Sequence, residues 1–376
     1  MTEHPGAHTD IGGVAHEDRS STTTSILNDQ DPRAVLGTVA RSTRRRVAGL
    51  ALLVAGLCAA TVLSLGLGAR TIDAATVVAA VAGALAGTEP EGLEATVVVT
   101  ERIPRTLLGL LVGVCLGGSG AVMQAITRNP LVDGGILGVE LGAACAVVAG
   151  IVYLDLSSTV LMFWFAFAGA LITAGVVYGI SRLTPSTSTA VSLVIAGAAT
   201  AAMLAAAINL MIIRDESAFS RYRFWSIGQL AGRGDTIGAL WPFALVGVVL
   251  ALACGPTLNV LTLGESVAAS LGVRVRRAQL ATALVAVLLC AAAVAAAGPI
   301  GFVGLVGAHL ARLIVGADQR LLVPYAMVLG AIVLLGADVA GRLAPGQGEI
   351  AVGIMTAVVG TPFFVVLARR RQLVEA

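Results

Sequence analysis

A chain of 376 residues that is 57% hydrophobic and only 12% charged, with net charge +2 and mean hydropathy +0.91, has about half the charged cover usual for a globular domain. A water-soluble protein of this length is excluded, and the apolar mass of Ala, Val, Leu and 45 Gly belongs in a bilayer, with helices able to approach closely. Every basic side chain is Arg and none is Lys, so the chain holds no phosphate loop with its lysine, and any ATPase must be a separate polypeptide.

Residues 1–40 are rich in Thr, Ser, Asp, Glu and Gly, with no periodic apolar positions. They are expected to form a disordered tail, in which the irregular spacing of His4, His8 and His16 makes a metal site improbable. Arg41, Arg44, Arg45 and Arg46 precede an uncharged run, 47–69, too long for a signal core of about 7 to 15 residues. It is read as a retained span.

About 20 helical residues cross a bilayer core of about 30 Å, which turns run lengths into crossings. The runs 106–127, 156–181, 183–213 and 236–264 hold one each. The run 278–311 would reach about 51 Å as one helix, and a break at Gly298-Pro299 divides it in two. Stretches 134–154 and 321–342, each with an internal acid, and 350–368 complete ten predicted spans.

With the Arg41–Arg46 cluster inside, ten crossings return Arg369, Arg370 and Arg371 to the same side, as the positive-inside rule requires. Both termini are therefore expected in the cytoplasm. Gly117, Gly120 and Arg128 recur at constant offset as Gly301, Gly304 and Arg312, a recurrence consistent with a parallel internal repeat.

Gly109, Gly113 and Gly117, continued by Ala121 and Ala125, make a small-residue ridge on one helix face, which serves either helix packing or a transport path. The same alternatives hold for Gly298, Gly301, Gly304 and Gly307. Arg102 and Arg105 flank Pro104 at an external helix mouth, suited to carboxylates of a docking protein or to lipid headgroups. Residues 255–277 form the longest cytoplasmic connection and read as short amphipathic helices with a sharp turn. Glu140, His309 and Asp338 are the intramembrane ionisable side chains, with Asp338 and Arg342 spaced for an i, i+4 salt bridge. No chain of acids crosses the bilayer, which argues against an ion-coupled carrier, and His309 has no evident partner for an intramembrane enzyme. The five cysteines show neither a close pair nor metal-ligand spacing.

Arg102-Ile103-Pro104-Arg105-Thr106, Gly120-Ala121-Val122-Met123-Gln124, Arg128-Asn129-Pro130-Leu131 and Leu137-Gly138-Val139 together resemble the signature of permeases that import ferric siderophores, haem and cobalamin, driven by ATP-binding cassette subunits. Leu263-Gly264 through Leu271-Gly272-Val273, Gly298-Pro299-Ile300-Gly301-Phe302-Val303-Gly304, and Gly348-Glu349-Ile350 through Gly360-Thr361-Pro362-Phe363-Phe364 extend the match over about residues 47–371. The chain departs from the family pattern at Ala308, where Pro is usual, and at Glu140, where a small polar residue is common.

The resemblance implies an all-α polytopic membrane protein of about ten transmembrane helices per subunit, occupying residues 41–371 with a short C-terminal tail at 372–376. It implies a homo- or heterodimeric permease, two cytoplasmic ATPases and an external substrate-binding protein, with no nucleic-acid partner. By the same resemblance, Arg102, Arg105 and Arg342 receive the binding protein. Leu263, Gly264, Glu265, Ala268, Ala269, Leu271, Gly272 and Val273 couple to the ATPase. Gln124, Asn129, Pro130 and Pro299 join the glycines Gly109, Gly113, Gly117, Gly120, Gly298, Gly301 and Gly304 in pathway or packing. No catalytic residue, metal or cofactor is expected on this chain; ATP and magnesium belong to the partner. The expected cargo is an iron(III)-siderophore-type chelate, with haem or cobalamin as the alternative.

Overall fold

The computed structural model describes residues 32–68, 72–181, 183, 189–213, 215–344 and 348–375. Most of the predicted disordered tail lies outside the described residues. The chain divides into compact units of residues 1–48 and 49–376; the described part of the first is the opening of helix α1 (Pro32–Gly66).

All regular structure among the described residues is helical. After α1 come α2 (Ala74–Ala86) and α3 (Leu93–Val97), which passes through a π-turn at Val98–Arg102 into α4 (Ile103–Thr127). Then follow α5 (Val139–Leu154), α6 (Thr159–Ser181), α7 (Thr189–Ile212), α8 (Glu216–Ser226) and α9 (Ile237–Ala253). The chain closes with α10 (Gly255–Thr262), α11 (Glu265–Ser270), α12 (Val275–Ala297), α13 (Val303–Val315), α14 (Gln319–Leu343) and α15 (Val352–Glu375).

Seven helical segments are long and apolar enough to cross a membrane, and each coincides with a predicted span. The other three predicted spans correspond to shorter apolar helices: α5, α13 and the first part of α15. α13, with 13 residues, rises only about 20 Å because it starts inside the bundle, at the break after α12. The helix predicted from residue 106 begins earlier, at Leu93, so Glu94 and Glu101 sit on a helical extension of it.

α4 is the central post. From Thr106 to Ile126 most of its side chains are buried, which a lipid-facing helix would not show. Its glycine ridge explains why. A Cβ on Gly109 would lie 2.7 Å from Leu335 Cδ2, one on Gly113 would strike the Ala331 backbone, and one on Gly117 the Ala326 carbonyl. The ridge is therefore the seam against α14. Where α13 crosses α4, the recurring glycines Gly120 and Gly304 meet, an added Cβ on the first lying 2.5 Å from the carbonyl carbon of the second. Their neighbours differ, since Gly117 is mid-helix and Gly301 lies in the break.

Leu171, Ile172, Trp241, Leu245, Val246 and Val249 are exposed on α6 and α9. Such an apolar surface is stable against lipid, not water.

Candidate functional site

Three features are spaced along α4. At its start, polar side chains close the bundle. The Arg105 guanidinium forks onto Asp338 of α14 with Nη2 2.8 Å and Nε 3.1 Å from the carboxylate, while its Nη1 donates to Glu349 Oε2 at 2.5 Å. Arg342 completes the predicted i, i+4 pair with Asp338 at 3.2 Å. It also donates to the carbonyls of Ser64 and Leu67 and to Ser64 Oγ. Arg102 Nη1 donates to the carbonyls of Leu65 and Gly66, each at 2.7 Å. Both arginines thus bond carbonyls at the C-terminal end of α1, where the helix dipole favours a cation.

The sequence reading placed Arg102 and Arg105 at an external helix mouth, available to a docking protein or to lipid headgroups. Arg102 and Arg342 are instead buried and turned inward, and Arg105 is only 13% exposed. The Arg102 guanidinium is committed to backbone carbonyls and that of Arg342 to carbonyls and Asp338, which leaves little of either open to headgroups or to a docking carboxylate. Nearby, Arg233 is buried in the turn before α9, and desolvation brings its pKa down to about 10, which leaves it charged at neutral pH.

At the other end of α4, about 35 Å away, lies the segment singled out for coupling. Gly264 and Gly272 adopt φ of +110° and +81°, a region open to glycine at little cost, and they bracket α11. Ala268 packs inward, whereas Leu263, Val267 and Leu271 stand exposed at four-residue spacing. Gln279 Nε2 donates to Glu265 at 3.0 Å, and the Arg128 guanidinium lies 4.0 Å from the same carboxylate. Asn259 of α10 donates to Asp318 at 2.7 Å and accepts from the Gln319 backbone N–H at 2.7 Å, so α10 is clasped to the start of α14. Ala269 is exposed and Val273 half-buried.

Between these ends lies a feature the sequence did not reveal. Residues 129–133 read as a cytoplasmic loop, with the next span starting at 134. Asn129 opens the segment, exposed, by accepting from the Leu131 N–H at 3.0 Å, and Pro130 follows, half-buried. The chain then folds back into the bundle: a Cβ on Gly134 would lie 2.5 Å from Ser119 Oγ, eight residues and about 12 Å inside the end of α4. It meets the second irregular segment, the break 298–302, where Gly298 has φ +79° and packs on the Trp225 carbonyl. Phe302 holds φ +69°, which costs a bulky residue of the order of 1 to 3 kcal/mol.

Asp133 joins the two segments. Its Oδ1 accepts from the Gly134 N–H at 2.7 Å and its Oδ2 from the Phe302 N–H at 3.2 Å. Beside it opens a cavity of about 430 Å³ lined by Leu131, Asp133, Gly135, Glu140, Gly301, Phe302, Leu305 and Phe364. Of the predicted pathway positions only Gly301 lines it. Gly109, Gly113, Gly117, Gly120, Gly298 and Gly304 are in packing contacts, Gln124 is buried and accepts from Arg312 at 3.3 Å, and Pro299 packs by its carbonyl against Gly228.

Among the described residues no three His, Cys, Asp or Glu side chains gather as metal ligands, and the five cysteines are unbridged. His309 stacks edge-on against Phe363 with centroids 5.5 Å apart.

The FecCD transport family matches residues 52–370. The ferric enterobactin transport system permease protein FepD of Escherichia coli (strain K12) is 38% identical over 89% of this chain and 98% of its own length. The probable siderophore transport system permease protein YfiZ of Bacillus subtilis (strain 168) is 38% identical over 74% of this chain and 84% of its own. A solved structure of a metal-chelate type ABC transporter in an inward-facing conformation superposes with a TM-score of 0.73 at 28% identity. It covers 85% of this chain and 97% of its own.

Proposed function

The chain belongs to the FecCD transport family, and from that membership we propose that it is the permease subunit of an ATP-binding cassette importer that admits iron(III)-siderophore-type chelates. It is a multi-pass membrane protein. The observation that carries the reading is the pairing of a clamped end and a protruding end on one central helix. The segment around α11 offers Leu263, Val267 and Leu271 bare, an apolar knob suited to a groove on a cytoplasmic ATPase. ATP and magnesium would reside on that partner, and none on this chain. A second permease subunit, identical or homologous, would close the other wall of the path, and both termini would face the cytoplasm.

The test is reconstitution. Proteoliposomes holding this chain, the ATPase and the binding protein are expected to accumulate radio-iron from a ferric chelate only with ATP inside the ATPase compartment. Vesicles holding this chain alone are expected to stay idle. Accumulation by the lone chain, or uptake that collapses with the proton gradient and survives ATP depletion, overturns the proposal. Haem or cobalamin uptake in its place would change the cargo and keep the machine.

Two substitutions test the ends. Gly264→Trp places a bulky residue at φ +110° on the hinge of α11; ATP hydrolysis by the assembled complex is expected to continue while uptake is lost. Coupled uptake at the normal rate would remove Gly264 from the coupling segment. At the clamped end we assign binding-protein docking to the Arg105 corner, held in place by Arg102 and Arg342. Glu349→Ala frees Arg105 Nη1 and leaves its fork to Asp338 intact, so a carboxylate of the binding protein can take the vacated place. Capture is expected to tighten about two- to fivefold, the range of one exposed ion pair. Unchanged capture takes Arg105 out of the docking surface.

A further inference from the structure

We propose that Glu140, with Asp133 beside it, makes the cavity at the broken helix a charge filter that favours neutral or cationic ferric chelates over anionic ones. The inference rests on the importer reading above and narrows its substrate class. We take this cavity to be aqueous on two features. Its wall includes the irregular backbone of Gly301 and Phe302, and non-helical backbone at membrane depth persists only where protein or water satisfies it. It also holds carboxylates, which inside a membrane face a water-filled space or a partner.

Asp133 is occupied by the Gly134 and Phe302 N–H groups. Glu140 accepts no hydrogen bond from the described residues. It is half-buried and lies close against Gly135, where an added Cβ would fall 2.7 Å from Oε1. It stands in the first turn of α5, whose positive end favours the ionised carboxylate. The rest of the lining is Leu131, Leu305, Phe302 and Phe364 with two glycines, and no basic side chain.

A cleft walled by apolar groups and one sign of charge focuses its field on whatever enters. Ferric iron wrapped by hydroxamates is neutral, since each hydroxamate brings a single negative charge. A pendant ammonium makes such a chelate cationic, whereas catecholates, with two charges each, leave the complex strongly anionic. The filter needs one ionised carboxylate, that of Glu140, which attracts the cationic complex and repels the anionic one, and the low dielectric of the walls amplifies both effects.

The experiment uses the full transporter with one binding protein throughout and three ferric trihydroxamates on one scaffold. They differ only in the tail: a free ammonium, its acetylated neutral form and its succinylated carboxylate. Uptake rates are read as ratios to the neutral form, so a general loss of activity cancels. The wild type is expected to favour the ammonium form over the carboxylate by about tenfold. Glu140→Gln is expected to shrink that preference several-fold, and Glu140→Asp to retain it. Gly301→Glu adds an acid where a Cβ meets nothing within 4 Å, and is expected to widen it. A preference that stays the same in Glu140→Gln and Gly301→Glu overturns the filter. ATP-driven uptake of none of the three by the wild type instead overturns the siderophore reading on which the filter rests.

Discussion

Replacing Asp338 by Ala is expected to cost the folded protein about 3 to 5 kcal/mol, the effect of removing one partner from a buried ion pair. Asp338 is 1% exposed and receives Arg105 Nε and Nη2 from α4 and Arg342 Nη2 from its own helix. Without it, two guanidiniums remain in a low-dielectric setting. Glu349, itself 37% exposed, reaches only one of them. The loss extends to α1, because Arg342 carries the bonds to Ser64 and Leu67. Thermal unfolding of the detergent-purified protein should show a markedly lower midpoint for Asp338→Ala, and one near the wild type for Glu349→Gln, whose bond is solvent-screened. A wild-type midpoint for Asp338→Ala would mean that the fork does not hold the helices together.

Gly117→Val is expected to prevent folding altogether. An added Cβ would lie inside the contact distance of the Ala326 carbonyl. That obstacle is backbone on α14, so no rotamer change relieves it. Overpacking against a yielding side chain costs about 1 to 3 kcal/mol, and a rigid obstacle exceeds that, since α4 and α14 must separate along the whole seam. Gly175→Val on α6 is the control, because a Cβ there meets nothing within 4 Å. Membrane yield and a monodisperse elution profile should collapse for the first substitution and persist for the second. Equal yields would refute the seam.

These expectations draw on different depths of information. The glycine ridge was visible as spacing, but spacing is equally good for packing and for a path, and only the Ala326, Ala331 and Leu335 contacts decide for packing. The arginines were legible as a cluster at a helix mouth. Their direction was not, because Arg105 meets Asp338 across 233 residues of chain, and no local pattern encodes such a meeting. Asp133 was passed over because an acid in an apparent loop carries no signal; its bond to Phe302 spans 169 residues.

From the sequence alone came the membrane class, the near-complete set of crossings, the break at Gly298-Pro299, the turn glycines around α11 and the family. These follow from run length, residue composition and local backbone preference, all read within a few turns of chain. The tertiary structure alone decided which charges are sealed, that the segment at Asp133 folds back onto the break at Phe302, and where an acid-lined cavity opens. Such features arise when distant segments desolvate one another, and burial of a charge or a backbone group is a property of the packed whole.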